Sequence, residues 1–271
     1  MTPELFSPSH PFTLEVALAT VLAVANQKGG VGKTDLSVNL ACYLASMGHR
    51  VLLIDLDPQA NATDYLTREP PRRTTAHLLL DEAVSLHEVV IPTEFHPNLH
   101  LAPSSSGLSA AQVQLVNDLD MQFKLKKKLR GLEGYDYVVI DTPPSLGLLT
   151  INAFTASDEI IIPIQTHYFA LDGVSKLMDT VERVKQSLNP QLKIRGVVLT
   201  MYDRRTCLSE QVAEKVRGKF NGKVFKTVIP VNVRLAESPS YHQPIIQYAP
   251  KSTGAQAYVE LAREFANWRR A

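Results

Sequence analysis

Between an uncharged run that ends near Asn26 and a helix-like segment that begins near Thr34 stands Lys28-Gly29-Gly30-Val31-Gly32-Lys33-Thr34. Glycines at this density let successive backbone N–H groups turn into one concavity, and a helix starting there adds positive potential to it. Such a concavity takes phosphate oxygens. Lys33 then reaches the β- and γ-phosphates of a nucleotide and the Thr34 hydroxyl ligates Mg²⁺, so Gly29, Gly30, Val31, Gly32, Lys33 and Thr34 form a phosphate-binding loop. The competing reading is a glycine-rich turn with no ligand. It does not require Gly-Lys-Thr at this spacing, and the strand–turn–helix context that confirms the motif is present.

Apolar runs rich in Val and Ile recur at 21–26, 51–57, 99–103, 137–142, 160–165, 197–201 and 224–229, separated by helix-like segments at 34–47, 109–131, 168–187, 206–219 and 254–269. Runs apolar at consecutive positions are strands buried on both faces. The alternation predicts an α/β fold: a doubly wound, mostly parallel sheet with helices on both faces. With no repeat or linker in view, residues 21–271 read as one phosphate-loop ATPase domain, preceded by a loosely ordered extension over 1–20. That extension is not expected to be a signal peptide, because no Lys or Arg precedes its apolar run and the run flows into the first strand. Residues 60–98, with Pro70, Pro71, Arg72 and Arg73, read as a surface excursion outside the core.

Composition excludes two classes of function. With 28 Lys and Arg against 27 Asp and Glu the chain is no polycation, so any nucleic-acid contact must come from a local patch. Cys42 and Cys207 form no Cys-x-x-Cys or Cys/His set for zinc or an iron–sulfur cluster, and they suit a reducing cytoplasm.

Asp57 and Asp141 both stand where apolar strands end, the edge at which open parallel sheets collect ligands. Asp55, two residues before Asp57, is expected to point elsewhere. Lys124, Lys126, Lys127, Lys128 and Arg130 make a tempting basic patch, although a charged helix face explains them equally well.

The loop with its leading Lys28 resembles the deviant Walker motif of the ParA/MinD group. The segments Asp57-Pro58-Gln59-Ala60-Asn61, Asp141-Thr142-Pro143-Pro144-Ser145, Met201-Tyr202-Asp203-Arg204-Arg205 and Val233-Arg234-Leu235-Ala236-Glu237 resemble the ParA/Soj partition family more narrowly. The resemblance implies that Lys28 reaches across an ATP-sandwich homodimer to the partner's phosphates, acting with Lys33 and Asp57 in catalysis. It implies that Asp141 holds Mg²⁺ through water, that Asp57 positions the attacking water, and that Pro230 and Asn232 contact adenine. Arg205 and Arg234 match positions that bind DNA. The implied cycle runs from ATP-dependent dimerisation through non-specific binding of double-stranded DNA to release on hydrolysis to ADP, stimulated by a ParB-like centromere-binding protein. The implied location is the cytoplasm, on the nucleoid, with no stable membrane anchor.

Asp35 departs from that pattern, where a second Thr is usual, and it too falls among the nucleotide-binding positions. Two unit charges about 4 Å apart repel by roughly 4 kcal/mol at an effective dielectric near 20, against ~0.3–1 kcal/mol gained at a helix N-terminus. Nucleotide binding or hydrolysis is therefore expected to be impaired, and a binding-only switch is one alternative reading. Ala60, where Gly is commoner, is a smaller departure. A MinD-like membrane-associated ATPase is the other alternative, since Tyr258, Leu261, Ala262, Phe265 and Trp268 form an apolar stripe near Arg263, Arg269 and Arg270. A carboxylating synthetase or amide-forming ligase would need a further polar constellation, which the sequence does not display.

Overall fold

A computed structural model describes residues 19–268. The extension expected over 1–20 falls almost wholly outside the described residues, as do Arg269 and Arg270.

Eight strands form one sheet in the order β3-β4-β2-β5-β1-β6-β7-β8. They are β1 (Thr20–Val24), β2 (Val51–Asp55), β3 (Ile91–Pro92), β4 (Leu99–Ala102), β5 (Tyr137–Asp141), β6 (Glu159–Gln165), β7 (Lys193–Tyr202) and β8 (Val224–Pro230). Every pairing is parallel except that of the short edge strand β3 with β4. β1 lies inside the sheet, between β5 and β6, so the chain winds outward from it in both directions. The crevice beyond its carboxyl end is where such sheets bind ligands.

Alternation along the strands feeds two cores. Ala23, Leu52, Ile54, Val138 and Ile140 face one layer of helices, while Leu22, Val24, Leu53 and Val139 face the other. The first layer holds α3 (Thr75–Leu80), α4 (Gly107–Leu115), α5 (Lys124–Lys128), α6 (Leu148–Ala156), α7 (Val174–Ser187) and α8 (Cys207–Phe220). The second holds α1 (Lys33–Ser46), α2 (Asn61–Leu66), α9 (Val233–Glu237), α10 (Ile245–Tyr248) and α11 (Thr253–Trp268).

Several expectations are corrected. The helix expected over 109–131 breaks after Leu115 and resumes at Lys124, because Asn117, Asp118 and Asp120 favour turns over helix interiors. Its lysines are not a free patch. Lys124 is buried among Glu82, Asp118 and Asp120, Lys127 pairs with Asp120, and Lys128 donates to the carbonyls of Asp81, Glu82 and Val84. Residues 60–98 are no excursion: Ala62, Tyr65, Leu78, Leu79 and Val89 are buried in the two cores. α7 starts at Val174 and not at 168, since Gly173 precedes it in the left-handed region at φ 78°.

The apolar stripe of α11 is core packing. Tyr258, Leu261, Ala262 and Phe265 are at most 1% exposed, and Trp268 packs edge-on against Phe225. Arg195 of β7 locks the helix down: it pairs with Glu159 at 3.1 Å, donates to the Phe265 carbonyl at 2.8 Å and lies over the Phe265 ring. No helix among the described residues is long and apolar enough to cross a membrane.

Candidate active site

The phosphate loop joins β1 to α1 at the crevice. Gly30 and Gly32 take φ of 69° and 81°, a region that a side chain would strain. The loop is tied to strand ends on its far side, through Asn26 Nδ2 donating to the Pro163 carbonyl (2.7 Å) and Thr200 Oγ1 donating to the Val31 carbonyl (2.8 Å). Lys33 lies against the loop with its ammonium 3.2 Å from the Lys28 carbonyl. Burial lowers its pKa, and the Asp141 and Asp57 carboxylates oppose that shift.

Thr34 Oγ1 and Ser37 Oγ both donate to Asp141, at 2.9 and 2.8 Å. Burial raises the Asp141 pKa against these two bonds. The geometry fits Mg²⁺. Because the Thr34 proton is directed at the carboxylate, its lone pairs remain for a hard cation beside the buried Asp141.

Asp57 lies beyond the end of β2, 5% exposed, and lines the same cavity of about 540 Å³ as Gly29, Gly30, Lys33 and Thr34. Asp55 turns away into the α2 N-terminus, accepting the N–H and hydroxyl of Thr63. Burial, followed by repulsion from Asp141, raises its pKa. Ala60, the residue before α2, sits at φ 55°, a left-handed conformation that costs a non-glycine residue roughly 1–2 kcal/mol.

A second cavity of about 530 Å³ opens beside the first, lined by Gly32, Asp35, Met201, Pro230, Asn232 and Tyr258 among others. Its size suits a nucleoside. Pro230 and Asn232, expected from the resemblance to contact adenine, both line this cavity. The Asn232 side chain itself is committed, accepting the Leu235 N–H as the α9 cap and donating to Thr253. Asp35 lines both cavities, and its carboxylate accepts the Tyr65 hydroxyl at 3.1 Å while Tyr65 also meets Ser238 at 2.7 Å. Burial pushes the Asp35 carboxyl up to about 6, so the side chain is neither free in solvent nor fully charged at neutral pH. The fixed negative charge expected of Asp35 is corrected by this burial.

Lys28 donates its backbone N–H to Asn26, but its ammonium makes no hydrogen bond or ion pair among the described residues. The arginines lie apart from the phosphate loop, on the segments that follow the neighbouring strands β7 and β8. Both are exposed and both are paired locally: Arg205 clasps Asp203 through Nε and Nη2 at 2.9 and 2.8 Å, and Arg234 meets Glu237 at 2.9 Å. These exposed pairs are weak holds, worth little in water. The sequence reading missed Ser37, Tyr65 and Ser104. Ser37 lies one helical turn after Lys33, a spacing that could have marked it.

A phosphate loop at the switch point of a doubly wound sheet, with a hydroxyl–carboxylate pair for a divalent ion and a nucleoside-sized cavity alongside, defines the class: a P-loop nucleotide hydrolase. A family model described as an AAA domain matches residues 19–194. The chain is 48% identical over 252 residues to the sporulation initiation inhibitor protein Soj of Bacillus subtilis, covering 92% of this chain and 99% of that one, and 48% identical to the chromosome partitioning protein ParA of Caulobacter vibrioides, covering 90% and 92%. It belongs to the ParA/Soj family of chromosome-partitioning ATPases. Among solved structures it is similar to cobyrinic acid a,c-diamide synthase of Mycobacterium smegmatis with bound ADP and magnesium, at TM-score 0.82 and 34% identity over 93% of this chain and 96% of that one.

Proposed function

We propose that this protein is an ATP-driven switch for DNA partition. Mg²⁺, when bound, neutralises charge on the β- and γ-phosphates. Lys33 and the loop N–H groups hold those phosphates, Thr34 and Asp141 hold the metal, and Asp57 orients the attacking water. Two copies close over their nucleotides with each Lys28 reaching the other's phosphates. The dimer then holds double-stranded DNA through Arg205 and Arg234 of both subunits, without regard to base sequence. Hydrolysis stimulated by a ParB-like protein separates the dimer and frees the DNA, which places the protein in the cytoplasm on the nucleoid.

The observation that carries this reading is the Lys28 ammonium, which makes no hydrogen bond or ion pair among the described residues although it stands at the start of the phosphate loop. A cation with no carboxylate partner among the described residues of its own subunit is available to a second one. A membrane switch is disfavoured because the α11 stripe is already spent on the core. An amide-forming synthetase is disfavoured because relatives 48% identical over at least 90% of this chain carry partition names. Static light scattering tests the proposal: the wild-type chain should double in mass with Mg²⁺ and ATP, and Lys28→Ala should stay monomeric. A Lys28→Ala variant that dimerises as well as wild type would remove the trans role.

A further inference from the structure

The turn that carries Asp57 is held from outside by a residue that no motif marks. Asp57 donates its N–H to Asp55 Oδ1 at 3.0 Å, and Asp55 Oδ2 accepts the N–H and the hydroxyl of Thr63 at 2.9 and 2.8 Å. The Thr63 oxygen accepts the N–H of Ser104 at 2.8 Å, and Ser104 Oγ donates to the Asp57 carbonyl at 2.7 Å. These bonds close a ring. Its four residues come from the β2 end, from α2 and from the segment after β4, and none is more than 5% exposed. Both backbone polar groups of Asp57 are fixed by it, while the carboxylate, which accepts the Gln59 N–H, lines the phosphate cavity.

The turn would not hold this shape unaided. Ala60 donates its N–H to the same Asp57 carbonyl at 2.9 Å and does so in the left-handed region. Backbone in such a conformation persists only where its surroundings over-determine it. Asp55 and Thr63 have work of their own at the start of α2. Ser104 does not: its N–H and its hydroxyl both point into the ring, and it stands two residues beyond the end of β4.

We propose that Ser104 is a positioning residue for ATP hydrolysis, clamping the Asp57 turn in the left-handed geometry at Ala60 that aims the Asp57 carboxylate at the attacking water. The inference rests on the role proposed above for Asp57. Ser104 lines neither the phosphate cavity nor the cavity beside it, so its loss should affect the rate and spare binding.

The test is steady-state ATP hydrolysis by the full chain with Mg²⁺ and duplex DNA, alongside ATP-dependent dimerisation. Ser104→Ala should lower kcat about tenfold and leave KM for ATP and dimerisation within about twofold. Ser104→Thr keeps the hydroxyl and should stay within about threefold of wild-type kcat. Adding Ala60→Gly to Ser104→Ala should restore most of the lost kcat, because glycine adopts the left-handed geometry without a clamp. A merely structural serine would lower the melting temperature without splitting kcat from KM and without recovery by Ala60→Gly. Wild-type kcat in Ser104→Ala, or no recovery in the double variant, overturns the proposal. Asp57→Ala separates the two levels: if it hydrolyses ATP at the wild-type rate the site assignment itself fails, whereas an inactive Asp57→Ala beside a fully active Ser104→Ala removes only the positioning role.

Discussion

Replacing Asp35 by Thr should tighten nucleotide binding by an amount that depends on pH. Asp35 stands directly after Thr34 and lines both cavities, so a triphosphate bound there would meet its carboxylate. If that carboxylate stays charged at 6–8 Å from a phosphate, the repulsion is about 2–3 kcal/mol at an effective dielectric near 20. The protein has a cheaper course. With its carboxyl pushed up to about 6, taking up a proton costs only about 1.4 kcal/mol at pH 7, and the smaller cost sets the penalty. The neutral form dominates below about pH 6 and the anion above it, so the handicap grows as pH rises. Asp35→Thr should therefore bind ATP about tenfold more tightly than wild type at pH 7, roughly 30- to 100-fold at pH 8, and within about twofold at pH 5.5. Titration calorimetry at fixed salt and Mg²⁺ measures the ratio. A ratio near one at all three pH values would mean that the carboxylate, held by Tyr65, never meets the phosphates, and the electrostatic argument would be wrong.

Other outcomes follow from the packing. Arg195→Ala leaves Glu159 without its partner and frees one side of α11; breaking a mostly buried pair costs about 2–4 kcal/mol, which at this size lowers the melting temperature by roughly 4–12 °C in a thermal scan. Co-sedimentation with anionic vesicles should retain none of the protein, with or without ATP, because the apolar face of α11 is occupied; ATP-dependent retention would revive the membrane reading. Lys124→Ala should destabilise the fold while leaving DNA retention unchanged, since Lys124 is spent on Glu82, Asp118 and Asp120; lost retention would restore the basic patch.

What the sequence made legible was whatever depends on neighbours along the chain. The phosphate loop, Asp57 and Asp141 each stand at the end of an apolar run, so strand pattern and motif mark the same place. Asp35 was legible as an oddity but not in its state, because its bond to Tyr65 and its burial come from α2 packing beside α1. Ser104 was invisible: one serine among three at 104–106 acquires meaning only through Thr63 and the Asp57 carbonyl, 41 and 47 residues away. α6 escaped notice because seven of its nine residues are buried, which erases the amphipathic period that betrays a surface helix. The lysine-rich stretch misled for the opposite reason, since the carboxylates that neutralise it include Glu82, far off in sequence.

The most direct test of the whole account is DNA retention measured in parallel with dimer mass, for wild type and Arg234→Glu, with and without ATP. The chain is nearly neutral, with 28 basic against 27 acidic residues, and on the proposed function one subunit's Arg205 and Arg234 would make a weak patch that dimerisation would double. A gel shift with duplexes of unrelated sequence should show retention by wild type only with Mg²⁺ and ATP, falling steeply with salt as released counterions demand. Arg234→Glu should lose that retention and still dimerise on ATP, because its position lies outside the phosphate loop. Wild-type retention without nucleotide, or unchanged retention by Arg234→Glu, would contradict the switch at its output.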